Sequence, residues 1–217
     1  MTHASTDIRR ATPDEMAQAV GTIVAAFVAD PPARFAWPSA HDYLETMPVA
    51  TRAFAGSCIK LGTAYVTADI HGAALWLPPG AEADSAALER VFRDTVKREH
   101  LDDLLGTFDK MEKSHPREVH WYLPQIGVDP SVQGQGLGAG LMRHALARCD
   151  EEQALAYLEA SKRQNIPFYQ SHGFEVIGEI QVGKGPVVTP MLRRPRKPQP
   201  ASVRRRNASP ALRGRPL

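Results

Sequence analysis

One segment, residues 128–140, constrains the fold more than any other part of the chain. It reads Val-Asp-Pro-Ser-Val-Gln-Gly-Gln-Gly-Leu-Gly-Ala-Gly and follows the most apolar strand candidate, residues 119–128. Pro124 interrupts that strand and predicts a bulge or an unpaired edge there. A helical stretch over about 136–150 comes next. A strand, a glycine-rich turn and a helix together direct backbone N–H groups and the positive helix end at an anion. Because any Cβ would block the approach of phosphate oxygens, the glycines predict a phosphate cradle.

The first interpretation of this cradle is a dinucleotide-binding site. Gly134-x-Gly136-x-x-Ala139 fits the dinucleotide-binding fingerprint, and Glu159 lies about 20 residues further on. A dinucleotide turn leaves its strand almost directly, however, whereas five residues separate Val128 from Gly134. That fold also needs more βα units than the remaining chain supplies. A dinucleotide-dependent oxidoreductase is therefore disfavoured.

The rest of the chain alternates strand and helix patterns, which predicts an α/β domain with a mixed, mostly antiparallel sheet. Thr12, Pro13 and Glu15 have the layout of a helix start with a capping box. Asp30-Pro31-Pro32 is expected to end that helix, and Pro48 to bend or divide the next one. Strands are expected at about residues 7–11, 62–69, 73–77, 119–128, 154–159, 174–182 and 186–192, with a short helix at 166–171.

The composition changes sharply near the C-terminus. Residues 193–217 hold nine basic groups, five prolines and no acidic group, so we expect a disordered tail after one folded domain over residues 1–192. Without the tail the chain has 17 basic and 24 acidic groups, a net charge of −7. Because phosphate backbones require a basic face, this balance argues against a nucleic-acid-binding core.

Other function classes are excluded on composition. No run approaches the ~20 apolar residues of a membrane span, and the N-terminus lacks the apolar region of a secretory signal. We therefore expect a cytoplasmic protein without membrane contact. Cys58 and Cys149 are the only cysteines, and the eight histidines show no ligand spacing, so no metal is expected.

Two motifs resemble a known family. Gln133-x-x-Gly136-x-Gly138 resembles the Arg/Gln-x-x-Gly-x-Gly/Ala signature of the GCN5-related N-acetyltransferase (GNAT) superfamily. The stretch 165–174, Asn-Ile-Pro-Phe-Tyr-Gln-Ser-His-Gly-Phe, looks like the second signature of that family. The resemblance covers residues 7–192. Within the family, the chain looks most like puromycin N-acetyltransferase and related small-molecule acetyltransferases.

The resemblance implies transfer of an acetyl group from acetyl-CoA to a primary amine, by direct attack through a tetrahedral intermediate. It implies a sheet splayed between its fourth and fifth strands, with helices on both faces. The pantetheine arm would pair with Ile126 and Val128, and the backbone N–H near Ile126 would bind the oxyanion. The cofactor-binding residues implied are Ile126, Gly127, Val128, Gln133, Gly134, Gln135, Gly136, Leu137, Gly138, Ala139, Asn165 and Tyr169.

Three residues are candidates for the chemistry. Tyr169 matches the general acid of the family, which protonates the thiolate; the alternative is a packing tyrosine. Glu159 is either a base, a substrate anchor or a solvated carboxylate at a strand end. His120 has the side chain suited to proton transfer near neutral pH, although a lone histidine is often structural. Asn165 either caps the short helix or binds the pantetheine arm.

The acceptor is the least constrained part of the prediction. Arg34, Phe35, Trp37 and Tyr43 form an aromatic segment that either stacks on a substrate ring or cation, or packs between helices. A small-molecule amine is expected. The alternatives are acetylation of a protein N-terminus or lysine, and a CoA-binding regulatory module without turnover. A homodimer is compatible with the family, but the sequence does not specify one.

Overall fold

A computed structural model describes residues 7–197, in which seven strands form a single sheet in the order β1-β2-β3-β4-β5-β7-β6. Every neighbouring pair is antiparallel except β4 and β5, which are parallel. The mixed, mostly antiparallel α/β sheet is therefore confirmed. The strands are β1 (Ile8–Arg10), β2 (Ala64–Thr67), β3 (Gly72–Leu77), β4 (His120–Val128), β5 (Leu155–Ala160), β6 (Glu175–Val176) and β7 (Thr189–Arg193).

Helices cover both faces of the sheet, as expected. The described helices are α1 (Met16–Ala26), α2 (Pro31–Ala36), α3 (Ala40–Ala55), α4 (Ser57–Lys60), α5 (Ser85–Thr95), α6 (Arg98–Ser114), α7 (Leu137–Glu151) and α8 (Ile166–Ser171). Apolar residues of α1, α3, α5 and α6 build the core on one face. Those of α7 and α8 build the core on the other. Each of these helices therefore buries apolar residues in one of the two cores.

Two prolines that interrupt the sequence pattern have other roles in the structure. Asp30 and Pro31, expected to end a helix, instead begin α2, because the Asp30 carboxylate accepts a hydrogen bond from the Ala33 N–H at 3.3 Å. Pro31 occupies the first helical position, where its missing N–H costs nothing. Pro48 lies inside α3 without dividing it. Arg34 and Phe35 of the predicted acceptor segment therefore lie within a helix.

The sheet splays between β4 and β5. These strands pair only from His120–Tyr122 to Leu155–Tyr157, although β4 continues to Val128. Next to Pro124, the pairing of β4 with β3 shifts by one residue between Leu75 and Leu77. This is the bulge predicted from a proline in a strand, because proline donates no ladder hydrogen bond. A gap consequently opens between the C-terminal halves of β4 and β5.

The folded part extends past residue 192. Arg193 ends β7 and is 2% exposed; both terminal guanidinium nitrogens donate to the Asp150 carboxylate at 2.8 Å. The same carboxylate accepts from the Arg196 N–H at 2.7 Å. The residues assigned to a tail at 193–197 are thus anchored by a carboxylate that offsets their charge.

Residues 198–217 of the predicted tail, and residues 1–6, lie outside the described residues. Between residues 7 and 197, the structure contains no helix of the length and apolar character needed to cross a membrane. The expected strand over 174–182 is reduced to the two residues of β6 and one bridge between Ile180 and Val188. The cytoplasmic location and the homodimer stay predictions.

Candidate functional site

A cavity of about 550 Å³ lies where β4 and β5 diverge. Its wall includes the β4 backbone from Pro124 to Val128, the glycine-rich loop and the start of α7. The other walls come from α2, α3, α5, α6 and α8. The cavity therefore brings the two sequence motifs, which are about 30 residues apart, to one place.

The glycine-rich loop has the backbone that an anion cradle needs. Gly134 and Gly136 have φ angles of +80° and +82°, in the left-handed region that other residues avoid. A Cβ built on either would meet nothing within 4 Å, so the loop faces open space. The helix α7 begins at Leu137, and the first N–H groups of a helix have no partner within it. Except for Gln135, all the loop residues predicted to bind the cofactor line the cavity.

Side-chain hydrogen bonds hold the segment that connects β4 to this loop. The Gln133 side-chain amide donates to the Val128 carbonyl at 3.0 Å. The Asp129 carboxylate accepts from the Ser131 N–H at 2.8 Å and from its hydroxyl at 2.7 Å. These contacts hold the five residues between strand and glycines in one short turn, in which Pro130–Val132 are 3₁₀-helical.

The backbone of β4 offers hydrogen-bonding groups to the gap. The Asp129 N–H donates to the His71 carbonyl at 2.8 Å, one residue beyond the Gly72–Val128 pair. Hydrogen-bonded pairs alternate along an antiparallel ladder, so Val128 and Ile126 direct their N–H groups away from β3. These N–H groups therefore point toward the gap that opens beside β5.

Tyr169 is buried at the cavity wall, with 7% of its surface exposed. Its ring packs against Phe168 and Phe174, at centroid distances of 5.3 and 6.2 Å. Burial, followed by the charge of Asp30, raises the pKa of the phenol above its ordinary value. The group is therefore protonated at neutral pH, as a proton donor must be. Asn165 also lines the cavity, and its side chain makes no capping hydrogen bond to α8.

Glu159 lies near the end of β5 and lines the cavity, with its side chain only 3% exposed. Burial raises the pKa of the carboxyl to about 7, and the hydroxyls of Tyr122 and Tyr157 oppose that shift. A carboxyl with this pKa is partly ionised at neutral pH and can take up and release a proton there.

His120 is at the beginning of β4 and does not line the cavity. Its Nδ1 is 2.8 Å from the Glu118 carbonyl oxygen, and its Nε2 is 3.1 Å from Nδ1 of His115. His115, which the sequence analysis missed, lies between the other two groups, with Nε2 3.6 Å from Oε1 of Glu159. Burial, followed by the charge of His120, lowers the pKa of His115 to about 4. His115 follows the end of α6, where no periodic pattern marks it.

A second buried carboxylate borders the cavity. Asp30 is 4% exposed and accepts hydrogen bonds from the Ser161 hydroxyl and the Ala33 N–H. Burial raises its pKa, while these two donors and then the charge of Lys162 lower it. The Asp30 carboxylate is therefore already bonded within the protein.

The predicted acceptor segment is only partly at the cavity. Trp37 lines it, but Arg34, Phe35 and Tyr43 do not. The Tyr43 hydroxyl donates to the Val24 carbonyl at 2.6 Å, and the Arg34 guanidinium lies 5.4 Å from the centre of the Tyr43 ring. Phe35 stacks on His100, with ring centroids 4.4 Å apart. Phe35 and Tyr43 thus make the helix contacts of the alternative interpretation. Arg34 instead donates exposed hydrogen bonds to the Pro38 and Ser39 carbonyls.

Other residues form the apolar walls of the cavity, and they come from three separate helices. Leu104, Phe108 and Met111 have the i, i+4, i+7 spacing of one face of α6. This spacing was visible in the sequence, but periodicity alone does not say what a helix face contacts. The apolar residues that α3, α5 and α6 contribute are Met47, Ala50, Phe54, Leu88, Phe92, Leu104, Phe108 and Met111.

The chain is similar to known acetyltransferases. Residues 98–194 match the family model described as an acetyltransferase (GNAT) domain. An uncharacterized N-acetyltransferase, C550.08 of Schizosaccharomyces pombe, is 25% identical over 218 residues, covering 93% of this chain and 87% of that protein. Residues 98–194, which the family model matches, contain both sequence motifs and the two strands, β4 and β5, between which the gap opens.

Solved structures share the fold. One, described as histone acetyltransferase HPA2 and related acetyltransferase from Corynebacterium glutamicum, is 22% identical with a TM-score of 0.62, covering 91% of this chain and 99% of that one. A mosquito arylalkylamine N-acetyltransferase-like protein is 14% identical with a TM-score of 0.60, covering 87% of this chain and 99% of that one.

Proposed function

We propose that the chain, whose residues 98–194 match a GNAT acetyltransferase domain, transfers an acetyl group from acetyl-CoA to a primary amine of a small molecule. One observation carries this proposal: the glycine loop, the free β4 backbone, Tyr169 and Glu159 all border the same cavity. A binding module without turnover needs the first two features only. The two buried titratable groups are what a catalyst needs in addition.

The cavity fits the donor. The φ angles of Gly134 and Gly136 leave open space in front of the first amides of α7, which suits a pyrophosphate. The Val128 N–H and the Ile126 carbonyl suit the amides of a pantetheine arm, which leaves the Ile126 N–H for the thioester oxygen, and Asn165 lines the cavity beside them. When bound, acetyl-CoA supplies an acetyl group activated as a thioester.

Three groups of the chain would act on the reaction. Glu159 accepts a proton from the incoming ammonium, since only a neutral amine is nucleophilic. The Ile126 N–H donates to the thioester oxygen as negative charge develops on it. Tyr169 donates its phenolic proton to the sulfur as the N–C bond forms and the C–S bond breaks. A general base or acid contributes about 10²–10⁴-fold to such a rate.

The walls of the cavity favour a small amine with an apolar substituent. Phe54, Phe92 and Phe108 surround the space beyond the β4 backbone, and their rings contact each other edge-on or tilted. An aromatic or aliphatic group gains about 25 cal/mol per Å² of surface buried there. One of the solved neighbours is named for arylalkylamines, which have this chemistry. Another is named for histone, so protein acetylation is the second candidate.

The test is a thiol-release assay with acetyl-CoA and three acceptor classes: phenylethylamine, spermidine, and a peptide with a free N-terminus and one lysine. We expect N-acetylphenylethylamine, identified by mass, and about a 10²-fold or greater loss of kcat in Glu159→Gln. Acetylation of the peptide alone would replace the small-molecule proposal with protein acetylation. Tight acetyl-CoA binding with no product from any acceptor would favour a regulatory module.

A further inference from the structure

Glu159 is connected to the protein surface by two histidines, and this connection is separate from the cavity. Its Oε1 has no contact with solvent and no hydrogen bond, and it lies 3.6 Å from Nε2 of His115. His115 Nδ1 is 3.1 Å from His120 Nε2, and His120 Nδ1 is 2.8 Å from the Glu118 carbonyl oxygen. We propose that His115 and His120 form a proton relay that carries the proton of the acceptor amine from Glu159 to solvent.

The hydrogen bonds determine which nitrogen of each ring carries the proton. The Glu118 carbonyl can only accept, so Nδ1 of His120 must carry hydrogen. In the neutral ring, Nε2 of His120 is then an acceptor, which requires hydrogen on Nδ1 of His115. The Nε2 atom of neutral His115 is therefore an unprotonated acceptor, and it faces Glu159. Every ring is in the tautomer that a relay away from Glu159 needs.

This arrangement accepts a proton from Glu159 rather than holding a charge beside it. An ionised Glu159 presents an oxygen acceptor to a nitrogen acceptor, and the two do not attract. A protonated Glu159 presents an O–H to the same nitrogen, which can bond to it. The separation must shorten by about half an ångström for transfer, as bonds in a catalytic site tighten when substrate binds. Burial lowers the pKa of His115 to about 4, below the value of about 7 for Glu159, so the ring carries the proton only transiently and the carboxyl holds it between transfers.

The transfer balances over one turnover. The ammonium loses one proton to Glu159 before attack, and the attacking nitrogen loses a second as the N–C bond is made. The departing sulfur gains one proton from Tyr169, and the second proton from the nitrogen restores the phenol. Acetylation of an ammonium therefore releases one net proton, and the relay gives it an exit. Protons move from Glu159 to His115 Nε2, from His115 Nδ1 to His120 Nε2, and from His120 to solvent.

The surrounding groups hold His115 in place without competing for its proton. The ring lies 4.5 Å, centroid to centroid, from both Tyr122 on β4 and Tyr157 on β5. Burial raises the pKa of both phenols, so they stay neutral, and the nearby Cys58 thiol on α4 has a pKa raised to about 12 by burial. Within residues 7–197, His120 and Glu159 are the other titratable groups with a hydrogen bond or ion pair to His115. Both belong to the relay.

This inference rests on the proposed function, and the test separates the two. His115→Ala and His120→Gln are assayed beside Glu159→Gln with the best acceptor amine, in buffers of low concentration. We expect kcat to fall about tenfold or more in both histidine variants, with unchanged acetyl-CoA affinity. His100→Phe is the matched control, because His100 has the same 25% side-chain exposure and stacks on Phe35 away from the cavity. Its kcat should equal that of the wild type.

Chemical rescue distinguishes proton transfer from packing. Imidazole added to His115→Ala should restore much of the lost kcat, whereas thiazole, which has a similar shape and no N–H, should not. Equal rescue by both, or histidine variants with wild-type kcat while Glu159→Gln is inactive, would overturn the relay and leave the proposed function standing. If His115→Ala does not fold, His120→Gln alone decides. An active Glu159→Gln would refute the relay and the role of Glu159 as the base, and would leave acetyl transfer itself standing.

Discussion

Replacing Glu159 by Gln should stabilise the protein at alkaline pH while it removes activity. The carboxyl is buried at the cavity wall with a side-chain exposure of 3%. Its pKa is raised from 4.5 to about 7 because burial disfavours the ionised form. A difference of about 2.5 pH units at 1.36 kcal/mol per unit corresponds to roughly 3 kcal/mol.

The direction follows from which state binds the proton more tightly. The folded protein holds the proton of Glu159 up to about pH 7, whereas the unfolded chain releases it at about pH 4.5. The stability contributed by the protonated form is therefore complete below about 4.5 and is lost as the pH rises through about 7. Glutamine is neutral at every pH and does not incur this loss.

Urea denaturation of the wild type and Glu159→Gln across about pH 5 to 8.5 tests this calculation. At about pH 8 the variant should be more stable by roughly 3 kcal/mol, or about 6–12 °C in Tm for a domain of this size. At about pH 5 the two should differ by less than about 1 kcal/mol. Glu175→Gln, on the exposed strand β6, is the control and should show no such gain. A difference that does not change with pH would mean that the Glu159 carboxylate is solvated, and would remove the basis for its role as a base.

Three further results are expected. Tyr169→Phe should lower kcat by about tenfold or more and leave the Kd of acetyl-CoA unchanged, and an unchanged kcat would exclude the phenol from the reaction. Gly136→Glu should abolish acetyl-CoA binding in titration calorimetry. Gly80→Glu should bind acetyl-CoA normally, because Gly80 has a φ of +80° and the same open space but does not line the cavity. Equal binding by both variants would refute the cradle. Removing residues 198–217 should leave kcat and Tm as in the full chain, and a loss of activity would show that the basic tail takes part.

Local features of the site could be predicted from the sequence. The turn over Gly134 and Gly136 depends on residues that are adjacent in the chain, and glycine alone adopts its φ angles easily. Pro124 correctly indicated a bulge in β4, because a proline must lose a ladder hydrogen bond. The placement of Tyr169 beside the glycine loop came from the family resemblance, not from spacing.

The features that could not be predicted depend on contacts between distant segments. Phe35 and Tyr43 looked like acceptor-binding residues because aromatic side chains cluster there, but only the packed helices decide which side faces a cavity. His115 lies 44 residues before Glu159 in the sequence. The two come together because the chain after α6 returns to the sheet beside β5. The raised pKa of Glu159 likewise depends on its burial beside Tyr122 of β4 and Tyr157 of β5. The sequence names that carboxyl as a candidate without saying whether water reaches it.

Thermal unfolding with acetyl-CoA or NADPH tests the central claim most directly, because it asks which cofactor the glycine loop holds. A ligand present at about 100 times its Kd adds roughly 2.7 kcal/mol, or about 5–11 °C in Tm for a domain of this size. We expect that shift with acetyl-CoA and none with NADPH. A shift with NADPH and none with acetyl-CoA would contradict the assignment of the cavity to an acetyl donor.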